Sequence, residues 1–477
     1  MNGNKTMMTD LYELTMAQVY FNSGEKEKVA VFDAFFRREP LDAGYGIMAG
    51  LDNIIEYIKS LKFTQENISY LKSLNIFSDD FLEYLSSFKF TGNIYAIPDG
   101  TPVFRNEPIV TVVAPIIEAQ IIETALLSYL NAGICYTTAT KKITEVAGSI
   151  GLMEFGARRA FGPDAAVEAS KCSIIGGAVG TSNVLAGERY GINVMGTMAH
   201  SLVTEADSEY EAFLNYAKTF PNNCVLLVDT YDTLRSGVPN AIRVAKEYLI
   251  PNGYRLKGIR IDSGDLAYLS KESKKMLVEA GLEDAKICLS NGLKADTIAS
   301  LLSQGAVIDS IGLGDNIVVP DNARVGCVYK NVAVVKNDYI VPKIKVSSDV
   351  EKTINPGFKK VYRFYDNSTG YALGDVITLY NEQIPENEYL LIDPQNETNQ
   401  TLIKNYKVRP LQEIIFNNGE LVYNDPSIFE KRDYCSEQMK TLYPEIKRIE
   451  KPHKYYVDLS ESLLKLKKEM IIESKKI

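Results

Sequence analysis

The chain is predicted to be α/β, with a compact, irregular parallel (β/α) barrel in its middle part and β-rich regions at either end. Three observations carry that expectation. From about residue 150 to 320, six or seven short apolar runs are separated by stretches with helical amphipathic spacing, and that alternation implies parallel strands. The runs are nearly continuously apolar, as strands buried on both faces must be. Small and polar residues fall just beyond the runs, where a parallel barrel carries its chemistry.

In chain order, Thr9 or Asp10 is placed to cap a helix through Leu11, Leu14, Met16 and Val19. Ile94 to Ala114 carries Pro-Asp-Gly and Asn-Glu-Pro turn signals between apolar runs and reads as a small antiparallel unit. The candidate barrel strands are Gly151–Phe155, Ile174–Gly177, Ile192–Met195, Val225–Val228, Gly258–Ile261, Ile287–Leu289 and Ile308–Ile311, with amphipathic helices such as Ser208–Phe220 and Leu266–Ala280 between them. After 320 the texture is β-like again, in Val325–Val335, Tyr339–Val346 and Val361–Tyr365, and a charged helix closes the chain. The expected domains are 1–135 (α+β), 136–320 (barrel) and 321–477, the last packing with the first because neither has the barrel rhythm.

At 477 residues the chain is too long for one ordinary core. A net charge of −9 argues against nucleic acid as a partner and leaves any anionic ligand to local Lys and Arg clusters. Met1 to Asp10 is polar, and no stretch approaches the ~20 apolar residues that span a bilayer, so no membrane partner and a cytoplasmic location are expected. Six scattered cysteines form no C-x-x-C pair and read as buried small hydrophobes.

The residues just past the apolar runs form a candidate rim: Glu154-Phe155-Gly156, Gly180-Thr181-Ser182, Gly196-Thr197 with His200, Asp229, Asp262-Ser263-Gly264-Asp265, Asn291, and Gly312 through Asp315. Asp262 is placed to hold a ribose diol or support a metal-bound sugar phosphate, while Ser263 or Asp265 suits a helix cap. Gly312 and Gly314 allow backbone N–H groups close to a phosphate, though two glycines also make a simple turn. His200 stands among small neighbours, with Asp229 as the natural partner to fix its tautomer; His453, beside Lys451 and Lys454, reads as a solvated surface residue. The pairs Arg37-Arg38 and Arg158-Arg159, together with Arg324 and Lys345, are candidates for anion contacts.

Six collinear stretches, far more specific together than singly, carry a family resemblance: Thr9 to Met16 (TDLYELTM), Phe35 to Arg38 (FFRR), Glu154 to Ala160 (EFGARRA), Gly180 to Asn183 (GTSN), Gly196 to Ser201 (GTMAHS) and Arg260 to Asp265 (RIDSGD). In that order the chain resembles nicotinate phosphoribosyltransferases from about residue 8 to 365. The resemblance implies a barrel of the type II phosphoribosyltransferase kind with a second α+β domain built from both chain ends. It implies nicotinate, phosphoribosyl pyrophosphate and ATP as substrates, Mg²⁺ as cofactor, and a homodimer with shared active sites.

The same resemblance implies the roles. Phe155 and Tyr12 stack on the two faces of the pyridine ring, Tyr12 coming from the other subunit. Arg158, Thr197 and Arg260 meet the nicotinate carboxylate or a phosphate. Ser182 stands where nicotinamide-using relatives carry an Asp that would repel a carboxylate. Asp262 holds the ribose hydroxyls, Gly312, Gly314 and Asp315 line the phosphate end, and Arg37, Arg38, Arg324 and Lys345 neutralise pyrophosphate. ATP phosphorylates His200, with Asp229 as its partner. Competing readings are a nicotinamide enzyme, a quinolinate enzyme, a catalytically silent ligand-binding protein and a barrel aldolase, the last lacking a strand-end Lys.

Overall fold

A computed structural model describes residues 4–347, 353–394 and 396–476. The chain divides into two compact units, Met1–Thr138 with Asn322–Ile477, and Ala139–Asp321. Among the described residues no helix is long and apolar enough to cross a membrane.

The continuous unit, Ala139–Asp321, is organised on one six-stranded sheet: β1 (Gly151–Glu154), β2 (Gly180–Thr181), β3 (Val225–Leu227), β4 (Gly258–Ile261), β5 (Lys286–Leu289) and β6 (Ser310–Leu313). Its order is β2-β1-β6-β5-β4-β3, and every pairing is parallel. Leu152, Ile259, Ile261, Ile287, Leu289 and Ile311 are all buried, which accounts for the apolar runs in the sequence. Helices Glu209–Thr219 and Leu266–Glu279 fall where amphipathic spacing places them, capped by the side chains of Ser208 and Asp265.

Two expected strands are corrected. Ile174–Gly177 is the end of helix Pro163–Ile175 and the turn after it: residues 169–175 are buried on every side, so its last apolar residues, Ile174 and Ile175, mimic the start of a buried strand. Ile192–Met195 is no strand either; it contributes one isolated parallel bridge, Val194 to Thr181.

The other unit, built from both chain ends, is mainly antiparallel. Its seven-stranded sheet runs Tyr339–Pro342, Val328–Lys336, Val29–Phe35, Val110–Pro115, Asn93–Ala96, Glu413–Asn417 and Glu420–Leu421. A four-stranded sheet holds Tyr406–Pro410, Lys359–Asp366, Ala372–Leu379 and Val457–Leu459. Here Arg363 is fully buried and grips Asp375 with two bonds, Nε at 2.8 Å and Nη2 at 2.7 Å, with Tyr455 Oη donating to the same carboxylate at 2.8 Å. The expected first helix is Leu11–Asn22; Asp10 occupies its N-cap position without a capping bond from its side chain.

Candidate active site

The strand ends of the parallel sheet gather most of the rim residues, and β1 sets the frame. Glu154, fully buried at its end, accepts from Ser170 Oγ (2.8 Å) and Thr181 Oγ1 (2.6 Å) through Oε2 and from the Gly156 amide through Oε1. A carboxylate so supplied with donors ties β1 to β2 and to helix Pro163–Ile175, a structural role. It thereby fixes the next residue, Phe155, whose amide donates to Leu313 O of β6. The ring lies over Gly312, where a Cβ would stand 2.4 Å from Phe155 Cε2. Glycine at 312 is therefore required for the ring to lie there, a different reason from the close phosphate approach expected of it.

Arg260, on β4, points across the strand ends. Its guanidinium carbon lies 5.7 Å from the Phe155 ring centroid. Nε donates to Ser290 Oγ at 2.8 Å, Nη1 to Thr197 Oγ1 at 3.3 Å, and Nη2 meets Asp262 Oδ1 at 3.3 Å. Ser290, just past β5, in turn donates to Asp262 Oδ1 at 2.5 Å. Ring, cation, hydroxyls and carboxylate thus form one connected group, and Asp262 keeps Oδ2 free of these bonds.

Asp229, just past β3, is buried to 2% exposure and accepts from the Asp262 amide (2.9 Å) and Ser263 Oγ (2.6 Å) through Oδ2. Its Oδ1 is buried without a hydrogen-bond partner. His200 Nε2 lies 4.0 Å from that oxygen and 3.9 Å from Asp262 Oδ2. The hydrogen bond of the imidazole is with Thr230, whose Oγ1 is 3.0 Å from Nδ1, whereas Asp229, the expected partner, stands 4.0 Å from Nε2. His200 itself is 43% exposed, open to a ligand from solvent.

The remaining rim residues are less engaged. Arg158 is exposed with no side-chain partner among the described residues, whereas Arg159 pairs with Asp315 at 3.2 Å. Ser182 is half-buried, its amide held by Glu154 O at 2.8 Å and its hydroxyl unbonded among the described residues. Gly314 sits between Asp315 and the backbone of Phe155.

Tyr12, Arg37, Arg38, Arg324 and Lys345 belong to the other unit. Arg37, Lys330 and Lys345 stand close enough there for their charges to act together: burial first, then those two cations, lowers the Lys330 ammonium, while Glu123 opposes them. Tyr12 bonds Glu123, and burial followed by that carboxylate raises its hydroxyl. Arg38, Arg324 and Lys345 are exposed. Ser290, Thr230 and Ser170 carry hydrogen bonds of the site without belonging to any motif; Ser290 follows Ile287–Leu289 directly, and the strand-end rule that singled out Asn291 points equally to it.

A wholly parallel sheet whose strand ends bring together a ring, an arginine, two carboxylates and a histidine defines the class, an α/β protein with a strand-end site of the enzymatic kind. Family models match in three consecutive blocks: the nicotinate phosphoribosyltransferase N-terminal domain over residues 7–131, the nicotinate phosphoribosyltransferase family over 150–354 and its C-terminal domain over 358–467. The nicotinate phosphoribosyltransferase of Bacillus subtilis (strain 168) is 45% identical over 474 residues, covering 98% of this chain and 96% of the relative. The crystal structure of human nicotinic acid phosphoribosyltransferase superposes with a TM-score of 0.84 at 29% identity, covering 97% of this chain and 99% of that one. The nicotinate-nucleotide pyrophosphorylase of Pyrococcus furiosus shares the fold, with a TM-score of 0.70 at 23% identity over 92% of this chain and 96% of its own. The chain belongs to the nicotinate phosphoribosyltransferase family.

Proposed function

We propose that this protein joins nicotinate to the phosphoribosyl group of phosphoribosyl pyrophosphate, releasing pyrophosphate, in the salvage of NAD in the cytoplasm. The observation that carries the proposal is the Phe155–Arg260–Ser290–Asp262 group: a ring face for a pyridine, a held cation for its carboxylate, and a held carboxylate for ribose hydroxyls. The nicotinate ring nitrogen attacks ribose C1 as the bond from C1 to the pyrophosphate oxygen breaks, through an oxocarbenium-like state that needs no covalent nucleophile. Arg158 and Thr197 assist Arg260, while Gly314, Asp315, Arg37, Arg38, Arg324 and Lys345 serve the phosphates. Asp262 Oδ2 and the unpartnered Asp229 Oδ1 are the oxygens that would hold Mg²⁺, which supplies charge neutralisation for the leaving pyrophosphate.

ATP enters through His200. With Nδ1–H donating to Thr230, Nε2 carries the lone pair that takes the γ-phosphoryl group; the bond from the γ-phosphorus to its bridging oxygen breaks and ADP leaves. Phosphohistidine beside two carboxylates changes the local charge, and its hydrolysis pulls a reversible transfer forward, a ligase-type coupling. We read the parallel sheet as an open (β/α) barrel of the type II phosphoribosyltransferase kind and its unit as the catalytic domain, because the order β2-β1-β6-β5-β4-β3 is that of a ring interrupted between β2 and β3. The assembly is a homodimer in which Tyr12 completes the partner's ring site.

The test is one assay: protein, Mg²⁺ and phosphoribosyl pyrophosphate with nicotinate or nicotinamide, with and without ATP, following mononucleotide and pyrophosphate. Nicotinate mononucleotide formed faster with ATP is expected, and His200→Ala should lose the ATP stimulation yet keep some transfer. Product from nicotinamide alone would overturn the substrate, and equal stimulation of parent and variant would remove the phosphohistidine.

A further inference from the structure

The unit built from both chain ends contains a cavity of about 340 Å³ that shares no residue with the strand-end group. Much of its wall is apolar, supplied by Phe35, Ile354, Ile377 and Leu459, all buried. Two lysines also line it, and they differ. Lys359, 2% exposed, is fully spent: its ammonium meets Asp33 Oδ2 at 2.8 Å and donates to the carbonyls of Asn355 (2.8 Å) and Gly357. Asp33 is spent as well, its Oδ1 accepting from Thr111 Oγ1 at 2.7 Å. Lys467 has one bond, to Asn355 Oδ1 at 2.8 Å, and no carboxylate partner among the described residues.

The cavity therefore holds one cation more than its anions match. Burial, aided by the Lys359 charge, pushes the Lys467 ammonium down to about 8, the mark of a charge short of compensation. A half-buried ammonium with two unspent N–H groups against an apolar wall is costly to keep unless an anion shares its site for part of the time. The size is that of ordinary small-molecule sites, which combine an apolar lining with a few placed polar groups. A single flexible ammonium, with no arginine fork beside it, suits a singly charged carboxylate better than a phosphate.

We propose that this cavity is a second ligand site, for a small monocarboxylate with an apolar body, its carboxylate on Lys467 and its body against Phe35, Ile377 and Leu459. The test uses the full chain and hexanoate as the probe, with hexanamide as its neutral counterpart, by isothermal titration. Hexanoate should fill one saturable site in the wild type, with affinity at least tenfold above that of hexanamide. Lys467→Met should remove that preference and Lys467→Arg should keep it. No saturable hexanoate site at millimolar concentration, equal affinity for the two probes, or undiminished binding by Lys467→Met would overturn the proposal. Should Lys467→Met fail to fold, the comparison of the two probes on the wild type decides alone.

Discussion

On the proposed function, Ser182 is the residue on which substrate choice would turn. The Glu154 carbonyl holds its amide at 2.8 Å, and its hydroxyl spends no bond among the described residues, so a side chain grafted there inherits a fixed origin. An Asp at 182 would add a negative charge to a group whose expected ligand is itself a carboxylate. Two such charges a few ångströms apart in a partly solvated site repel by roughly 1–4 kcal/mol. Ser182→Asp should therefore lower kcat/KM for nicotinate by about tenfold or more while leaving or improving that for nicotinamide, where about 1.4 kcal/mol is tenfold. Competition kinetics with both substrates would show it, and an unchanged preference would take Ser182 out of the specificity argument. At this scale legibility was uneven for a physical reason. Asp262, Arg260 and Thr197 stand out because unusual residue types break apolar runs. Ser290 and Thr230 do the bonding beneath them, but serine and threonine past a strand are also ordinary turn residues.

At the scale of elements, five of the seven expected barrel strands appear within two residues of their expected bounds, among them Gly258–Ile261, and two do not. The Ile174–Gly177 failure has a local cause: strand β2 is only Gly180–Thr181, too short to show a period, and it follows a helix whose last turns are buried on every side; Ile192–Met195 contributes only an isolated bridge to Thr181. The first helix hides a feature of another kind. Glu13, fully buried, accepts through Oε1 from the Thr124 amide (3.0 Å) and hydroxyl and through Oε2 from Thr9, tying helix Leu11–Asn22 to the start of helix Glu123–Ala147. Burial outweighs these donors and pushes its carboxyl from 4.5 up to about 7. The folded chain thus holds this proton more tightly than the unfolded one. Stability should fall as pH rises from about 4.5 to 7 and level off above, by an amount on the order of 3 kcal/mol. Glu13→Gln removes that dependence, so its urea midpoint should rise relative to the parent across this window and stay above it at pH 8. Parallel pH profiles for the two proteins would mean that Glu13 ionises freely in the fold.

For the whole molecule, both chain ends make one unit and the middle makes the other, so the sequence rhythm changes twice although the chain has two units. That arrangement leaves the first helix with an unusual outer face. Leu11, Tyr12, Met16 and Val19, spaced as one helical stripe, are 54%, 45%, 36% and 63% exposed, and Met8 just before them is 47% exposed. Single exposed apolar residues are ordinary, but a stripe of five is a candidate interaction surface. A second copy is the proposed occupant, since Tyr12 lies within the stripe and is the residue expected to reach the partner's ring site. Val19→Asp puts a charge at the far end of that stripe and leaves the Tyr12–Glu123 bond alone. Sedimentation of the parent should give a dimer and of Val19→Asp a monomer, with nicotinate transfer reduced at least tenfold at concentrations where the variant is monomeric. Tyr70→Asp, at another exposed aromatic residue, serves as the control and should change neither. A dimeric, fully active Val19→Asp would place the interface elsewhere. A monomeric and fully active variant would show that each chain completes its own site.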